Sequence, residues 1–246
     1  MALTDYKTAL VTGASSGIGE ATVKALSGRG IRVYAAARRK DKLDDLANQT
    51  GCIPVVLNVR DKDSIYSTLE KFEIDILVNN AGLGLGFEAL FEANPDDIQT
   101  TLETNVIGAA HVIRAVGAGM VKRNRGHVIN IGSVAGLYPI NSSIYGSSKG
   151  AIHSMSQNLR IELKGTRIRV TEICPGRVAT NFFNIAVNDR KKSAQAFEGY
   201  EALESEDIAD AIIYAVDTPW RVNIGTIELS PTEQTFGGME IIPAPE

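Results

Sequence analysis

The sequence predicts an α/β fold, a single doubly wound parallel sheet with helices on both faces, and three observations carry that prediction. Short apolar runs alternate with longer amphipathic segments along all 246 residues, the pattern of repeated βα units. Hydrophobicity in the runs 31–37 and 54–59 is continuous instead of alternating, as strands buried on both faces require. The first run is followed at once by a glycine-rich turn that opens a helix, a place where a phosphate group can be received. A chain of this length buries a full sheet core as one unit, so one domain is expected over 1–246.

Residues 8–11 form the first strand, and Thr12-Gly13-Ala14-Ser15-Ser16-Gly17-Ile18-Gly19 is the turn into a helix over 17–27. Its glycines let the chain turn tightly and let a pyrophosphate reach the helix N-terminus, where unpaired N–H groups and the helix dipole favour anions. The Gly-x3-Gly-x-Gly spacing differs from Gly-x-Gly-x-x-Gly but serves the same mechanics. Gly13, Ser15, Ser16, Gly17, Ile18 and Gly19 are therefore candidate dinucleotide contacts.

The strand over 31–37 ends in Ala35-Ala36-Ala37-Arg38-Arg39. A carboxylate at such a place selects the free 2′-hydroxyl of NAD. Two guanidiniums suit a 2′-phosphate instead, because a planar fork holds phosphate oxygens bidentately. NADP is thus preferred over NAD, with Arg38 as the main contact and Ser15 or Arg39 as helpers; a pair of solvated arginines is the alternative. A helix over 40–49, a strand over 53–59, a helix over 64–71 and a strand over 75–78 lead to Asn79-Asn80-Ala81-Gly82. One long helix is expected over 95–122, then a strand over 127–131, a helix over 144–164, a strand over 167–174, a helix over 206–217 and a strand over 226–229. Residues 180–203 are polar and poorly periodic. They read as a long loop with room for a short helix, and long loops in compact domains are often lids.

The densest chemistry lies between Ser133 and Lys149. Tyr145 precedes Lys149 by one helical turn, so both share a helix face. A free phenol titrates near pH ~10, and a neighbouring ammonium favours its ionised form. The expectation is an acid–base tyrosine whose pKa is lowered by Lys149. The spacing alone is weak evidence, since an exposed Tyr and Lys meet it by chance.

Composition excludes several classes. At 22% charged residues and a net charge of −4, the chain has no electrostatic footprint for nucleic acid or an anionic membrane. Residues 1–7 lack the apolar core of a signal peptide, and no apolar run approaches the ~20 residues of a membrane span. A cytoplasmic protein is expected. Cys52 and Cys174 both fall in apolar runs, which favours buried thiols over a disulfide or a metal site.

Taken in order, the turn over 12–19, Asn79-Asn80-Ala81-Gly82, Asn105, Ser133, Tyr145 with Lys149, and Pro175-Gly176 resemble the short-chain dehydrogenase/reductase family over nearly the whole chain. The resemblance implies a Rossmann-type fold and a hydride transfer. By it, Ser133 holds the substrate oxygen, Tyr145 moves its proton, Lys149 lowers the phenol pKa and holds the nicotinamide ribose, and Asn105 disrupts its helix and orders a water relay. Asn80, Ala81 and Gly82 line the adenosine side, as do Asn58 and Val59. Pro175, Gly176, Val178 and Thr180 follow the nicotinamide and pyrophosphate. Asn58 departs from the aspartate usual in the family, so its adenine contact is neutral and weaker.

The run from Trp220 to Gln234 and the stretches Leu83-Gly84-Leu85-Gly86 and Asn130-Ile131-Gly132-Ser133 are similar to the NADP-dependent 3-hydroxy acid dehydrogenases that act on serine and allo-threonine. Relatives of these reduce small aldehydes such as sulfoacetaldehyde. For a small anionic substrate, Arg177 is the clamp best placed by sequence, with a surface salt bridge or a cofactor contact as its other readings. His153 reads as a packing or interface residue, and Asp189-Arg190-Lys191-Lys192 as a solvated loop face. A reductase of larger ketones or carrier-bound ketoacyl groups, and a non-catalytic NADP-binding regulator, stay open. Homodimers or homotetramers are implied by the family alone, and the tail from Met239 to Glu246 docks on a neighbour or on its own sheet.

Overall fold

The computed structural model describes residues 3–85, 88–182, 197–235, 237–238 and 240–242. Seven parallel strands form one sheet: β1 Thr8–Thr12, β2 Arg32–Ala37, β3 Ile53–Val56, β4 Ile76–Asn79, β5 Gly126–Ile131, β6 Ile168–Pro175 and β7 Thr226–Leu229. Their order is β3-β2-β1-β4-β5-β6-β7, so the direction of winding reverses between β1 and β4. Open α/β sheets bind ligands outside the carboxyl ends of the strands at such a reversal.

Alternate strand residues feed two separate cores, the consequence of a period of two with both faces covered. Ala9, Val11, Val33, Ala35, Val78 and Ile173 meet α1 (Gly17–Ser27), α2 (Lys40–Thr50) and the helix Ser205–Asp217. Leu10, Ala36, Leu77, Val128 and Val170 point the other way, onto α3 (Lys62–Leu69) and the helix Ala109–Arg123. Cys52 and Cys174 are both buried as free thiols.

Four expectations need correction. β3 stops at Val56 instead of residue 59, because its partner β2 ends at Ala37, opposite Val56; Asn58 and Val59 therefore lie in a loop. The helix after it starts two residues early, at Lys62, because Asp61 caps it by accepting from Ser64 N at 3.0 Å. The long helix is not continuous over 95–122 but breaks where the resemblance implied that Asn105 disrupts it: α4 (Pro95–Leu102) runs into a π-helical segment, Glu103–Gly108, and then α5 (Ala109–Arg123). This whole stretch, Pro95–Arg123, is also long and apolar enough by length and composition to cross a bilayer, contrary to the reading of the sequence, yet half of its most apolar part is buried within the fold. A short helix unforeseen in the sequence, α6 (Val134–Leu137), precedes α7 (Ser143–Glu162), and α8 is Ser205–Asp217, opened by a capping box between Glu204 and Asp207.

Most of the expected loop over 180–203, including Asp189-Arg190-Lys191-Lys192, lies outside the described residues. Of the tail, Ile241 and Ile242 pair with Gln234 and Glu233 of the same chain, which fixes that part on its own fold.

Candidate active site

The glycine turn leaves β1 with Gly13 at φ 67° and enters α1 with Gly17 at φ 56°, backbone that an L side chain rarely adopts. A Cβ on Gly19 would overlap the Gly13 carbonyl and stand 2.7 Å from Asn80 Nδ2. The cradle is thus shaped for close backbone approach. The end of β1 is stitched to the end of β4: Thr12 Oγ1 accepts from the backbone N–H groups of Asn80 and Ala81, both at 3.0 Å, and Asn80 Nδ2 donates to Thr12 O at 2.9 Å.

Beside the turn, Arg39 donates from Nη2 to Ser15 Oγ at 2.9 Å, Ser15 O at 3.1 Å and Ser16 Oγ at 2.8 Å. The sequence made Arg38 the leading arginine. The structure ties Arg39, the N-cap of α2, to the turn, while Arg38 beside it, just past the end of β2, is exposed as Arg39 is.

Ser133 ends the β5 connection as the N-cap of α6: its Oγ accepts from Ala135 N at 3.1 Å and lies 3.4 Å from Pro175 O. Tyr145 and Lys149, one turn apart on α7, are both nearly buried, at 8% and 7% exposure. Burial pushes the Tyr145 phenol up to about 12, opposed by a side-chain hydrogen bond with Ser133. Lys149 does not lower it here. Its Nζ donates to Ile131 O at 2.8 Å and sits 5.9 Å from the Tyr145 ring centroid. Burial pushes Lys149 itself down to about 8, with Cys174 and Glu172 acting in the opposite direction. In the protein without cofactor the Tyr145 value is thus raised and not lowered: desolvation outweighs the hydrogen bond with Ser133.

Asn105 lies within the π segment. Its Oδ1 accepts from Leu83 N at 2.9 Å, while Nδ2 donates to Leu83 O at 2.8 Å and Ser148 Oγ at 3.0 Å. Ser148 in turn donates to Tyr145 O at 2.8 Å. π segments often accompany functional sites, and this one aims a side-chain amide into the interior beside Lys149: a Cβ on Gly82 would touch both groups, at 3.3 and 3.7 Å.

These parts open on one cleft of about 210 Å³, small beside the roughly 300–1,000 Å³ of drug-sized pockets. Ser133, Tyr145 and Lys149 line it, together with Gly13, Ser16, Gly17 and Ile18 from the glycine turn. So do the residues from Asn80 to Gly82 and Pro175, Gly176, Val178 and Thr180. Ser15, Gly19, Arg39, Asn58, Val59 and Asn105 stand outside its wall; Asn58 is exposed and accepts from Arg60 N at 3.2 Å. Arg177 is also absent from the wall. Its N–H donates to Gln234 Oε1 at 3.0 Å and its guanidinium lies 6.0 Å above the Tyr200 ring, while its neighbours Gly176 and Val178 both line the cleft. His153 pairs with buried Glu172 at 2.6 Å, within the fold.

Sequence reasoning missed Leu83, Asn181 and Phe182 in the wall, and Ser148 and Gln234 behind it. Ser148 had a signal in retrospect, three residues after Tyr145 on one helix face. Phe182 had none, since a Phe-Phe pair in a poorly periodic stretch does not say which ring turns inward.

Residues 7–191 match the family model described as short chain dehydrogenase. The NADP-dependent 3-hydroxy acid dehydrogenase YdfG of Salmonella typhi is 39% identical over 242 residues, covering 94% of this chain and 98% of the relative. The protein of the same name from Escherichia coli (strain K12) matches at the same identity and coverage. Among solved structures, the closed form of serine dehydrogenase complexed with NADP+ superposes with a TM-score of 0.91 at 38% identity, covering 96% of this chain and 100% of that one.

Proposed function

This chain belongs to the short-chain dehydrogenase family, and from that premise we propose that it transfers hydride between NADP and a small 3-hydroxy acid, with Tyr145 as the acid–base group. The observation that carries the reading is the meeting of Ser133, Tyr145 and Lys149 in one cleft with the glycine cradle. The glycine turn, lining the cleft at the N-terminus of α1, fits a pyrophosphate held by backbone N–H groups. Arg38 and Arg39 fit the 2′-phosphate. When bound, the nicotinamide supplies the hydride acceptor and donor.

The side chains orient the substrate and move its proton. Ser133 Oγ donates to the substrate oxygen. Tyr145 delivers a proton to that oxygen in reduction and withdraws it in oxidation. Lys149, predominantly charged at neutral pH with its value near 8, supplies positive charge beside the reacting oxygen. Asn105, fixed on both sides by Leu83, positions the proton path behind Lys149. With the phenol held up to about 12, oxidation requires the scarce ionised form. Its kcat/KM is expected to rise about tenfold per pH unit across the neutral range, whereas reduction uses the abundant phenol and stays flat. A flat oxidation profile would remove Tyr145 as the base.

The reading includes one domain over 1–246 with residues 180–203 as a substrate lid, a cytoplasmic location, and a homodimer or homotetramer. Half-exposed Ile107 and Val121 in the interrupted helix support assembly, and sedimentation velocity of the purified protein tests it. Arg177 remains a candidate for a substrate carboxylate once the lid closes over the cleft.

Nicotinamide absorbance followed with NADP and NAD against serine, allo-threonine and 3-hydroxybutyrate tests the function. Turnover with NADP on these acids is expected. Turnover confined to bulky ketones, or tight NADP binding without turnover, would overturn it. Arg38→Asp is expected to shift the NADP-to-NAD preference toward NAD by about tenfold or more, the worth of one charge-assisted phosphate contact. An unchanged preference would leave the 2′-phosphate to Arg39.

A further inference from the structure

The segment from Thr180 to Phe182 crosses the mouth of the cleft and is held at both ends. At one end, the methyl group of Thr180 lies 3.3 Å from where a Cβ on Gly17 would stand, and Thr180 Oγ1 accepts from Phe182 N at 3.3 Å. At the other end, the Phe182 ring comes down on Gly84: a Cβ there would overlap Cζ and stand 3.1 and 3.2 Å from the two Cε atoms. Between these ends the Phe182 ring leans on Tyr145, with centroids 5.3 Å apart and planes at 52°.

The seat under the ring is firm. Leu83 is bonded through both its N–H and its carbonyl to Asn105, and the Leu85 carbonyl accepts from Thr101 Oγ1 at 2.9 Å. Gly84 is thus clamped between two anchored neighbours, and its lack of a side chain is what admits the ring. A substrate whose oxygen reaches Tyr145 comes within reach of the Phe182 ring, which packs on that tyrosine in the cleft wall.

We propose that Phe182, seated on Gly84, sets the upper limit on substrate size, admitting 3-hydroxy acids with a short side chain and excluding those with a long alkyl or aryl group. The acid half of this statement rests on the function proposed above. The size half does not, since any alcohol oxidised at Tyr145 meets the same ring.

The test compares kcat/KM for 3-hydroxybutyrate and 3-hydroxyoctanoate, and in parallel for a short and a long secondary alcohol. It uses the wild-type protein, Phe182→Ala, Gly84→Ala and the double variant, with circular dichroism melting as a check that each folds. Phe182→Ala is expected to raise the long-to-short ratio about tenfold or more. Gly84→Ala should move the ratio in the same direction by unseating the ring. The double variant should match Phe182→Ala alone, since the added methyl then has nothing to displace. A ratio unchanged within about twofold in folded Phe182→Ala, or additive effects of the two substitutions, would overturn the proposal. Turnover of alcohols without turnover of acids would overturn the acid reading while the alcohol ratio still decides the size limit.

Discussion

Tyr145→Phe is expected to lower turnover by about a thousandfold or more while leaving the Kd for NADPH within about twofold. The magnitude is that of general acid–base catalysis by one positioned group, and the split follows because only the proton-moving atom is lost. The ring stays in place against Phe182, so packing changes little. Titration of NADPH fluorescence alongside steady-state rates checks both halves. Turnover surviving within a few-fold would mean that another group moves the proton, and lost NADPH affinity would mean that the phenol is chiefly a cofactor contact.

Lys149→Met should abolish most turnover and, unusually for a buried substitution, stabilise the cofactor-free protein. Bringing a lysine from 10.5 to about 8 costs about 3 kcal/mol at neutral pH. Removing it leaves the Ile131 carbonyl, now bonded at 2.8 Å, without its donor, which returns about 1–2 kcal/mol of that gain. A net stabilisation of about 1 kcal/mol or more is expected, a rise in Tm of about 2–4 °C for a chain of this size. The effect depends on pH with a defined sign. The unfolded lysine keeps its proton up to about 10.5 while the folded one releases it above about 8, so the wild-type protein gains stability as pH rises through that window. The advantage of Lys149→Met therefore fades between those values. Urea unfolding of both proteins at pH 7 and pH 10 measures it, and a variant less stable at pH 7 would show that the buried ammonium is held more favourably than its burial implies.

The stability of the empty protein and its chemistry thus pull against each other at one residue. A lysine is kept buried in the cleft wall at a cost in folding free energy, a trade-off common at functional sites.

The strands, the helix faces and the order of the markers were legible because they rest on local rules. Continuous apolar runs foretold buried strands, and the two cores divide along the alternation visible in Ala9, Leu10 and Val11. The glycine turn, Ser133 and the Tyr145–Lys149 spacing could be named because a helix turn and a strand end fix which side chains share a side. The family resemblance supplied their roles.

What escaped the sequence depends on contacts between distant segments. The bonds of Arg39 to Ser15 and Ser16 join the start of α2 to a turn more than twenty residues earlier. The break in the helix around Asn105 was implied by the family resemblance alone, but its bonds to Leu83 and Ser148 were not, since neither is a sequence neighbour. The sign of the Tyr145 shift followed from burial, which no spacing reveals, and Arg177 lies over Tyr200, a partner more than twenty residues away in the chain. The sequence alone determined the layering, the phosphate-receiving end of the sheet and which side chains are candidates for the reaction, since those follow from period, turn chemistry and residue type. Only the tertiary structure decided how those side chains are solvated, which arginine meets the turn and that Phe182 closes over Gly84, because desolvation and side-chain seating are set by atoms remote in the chain.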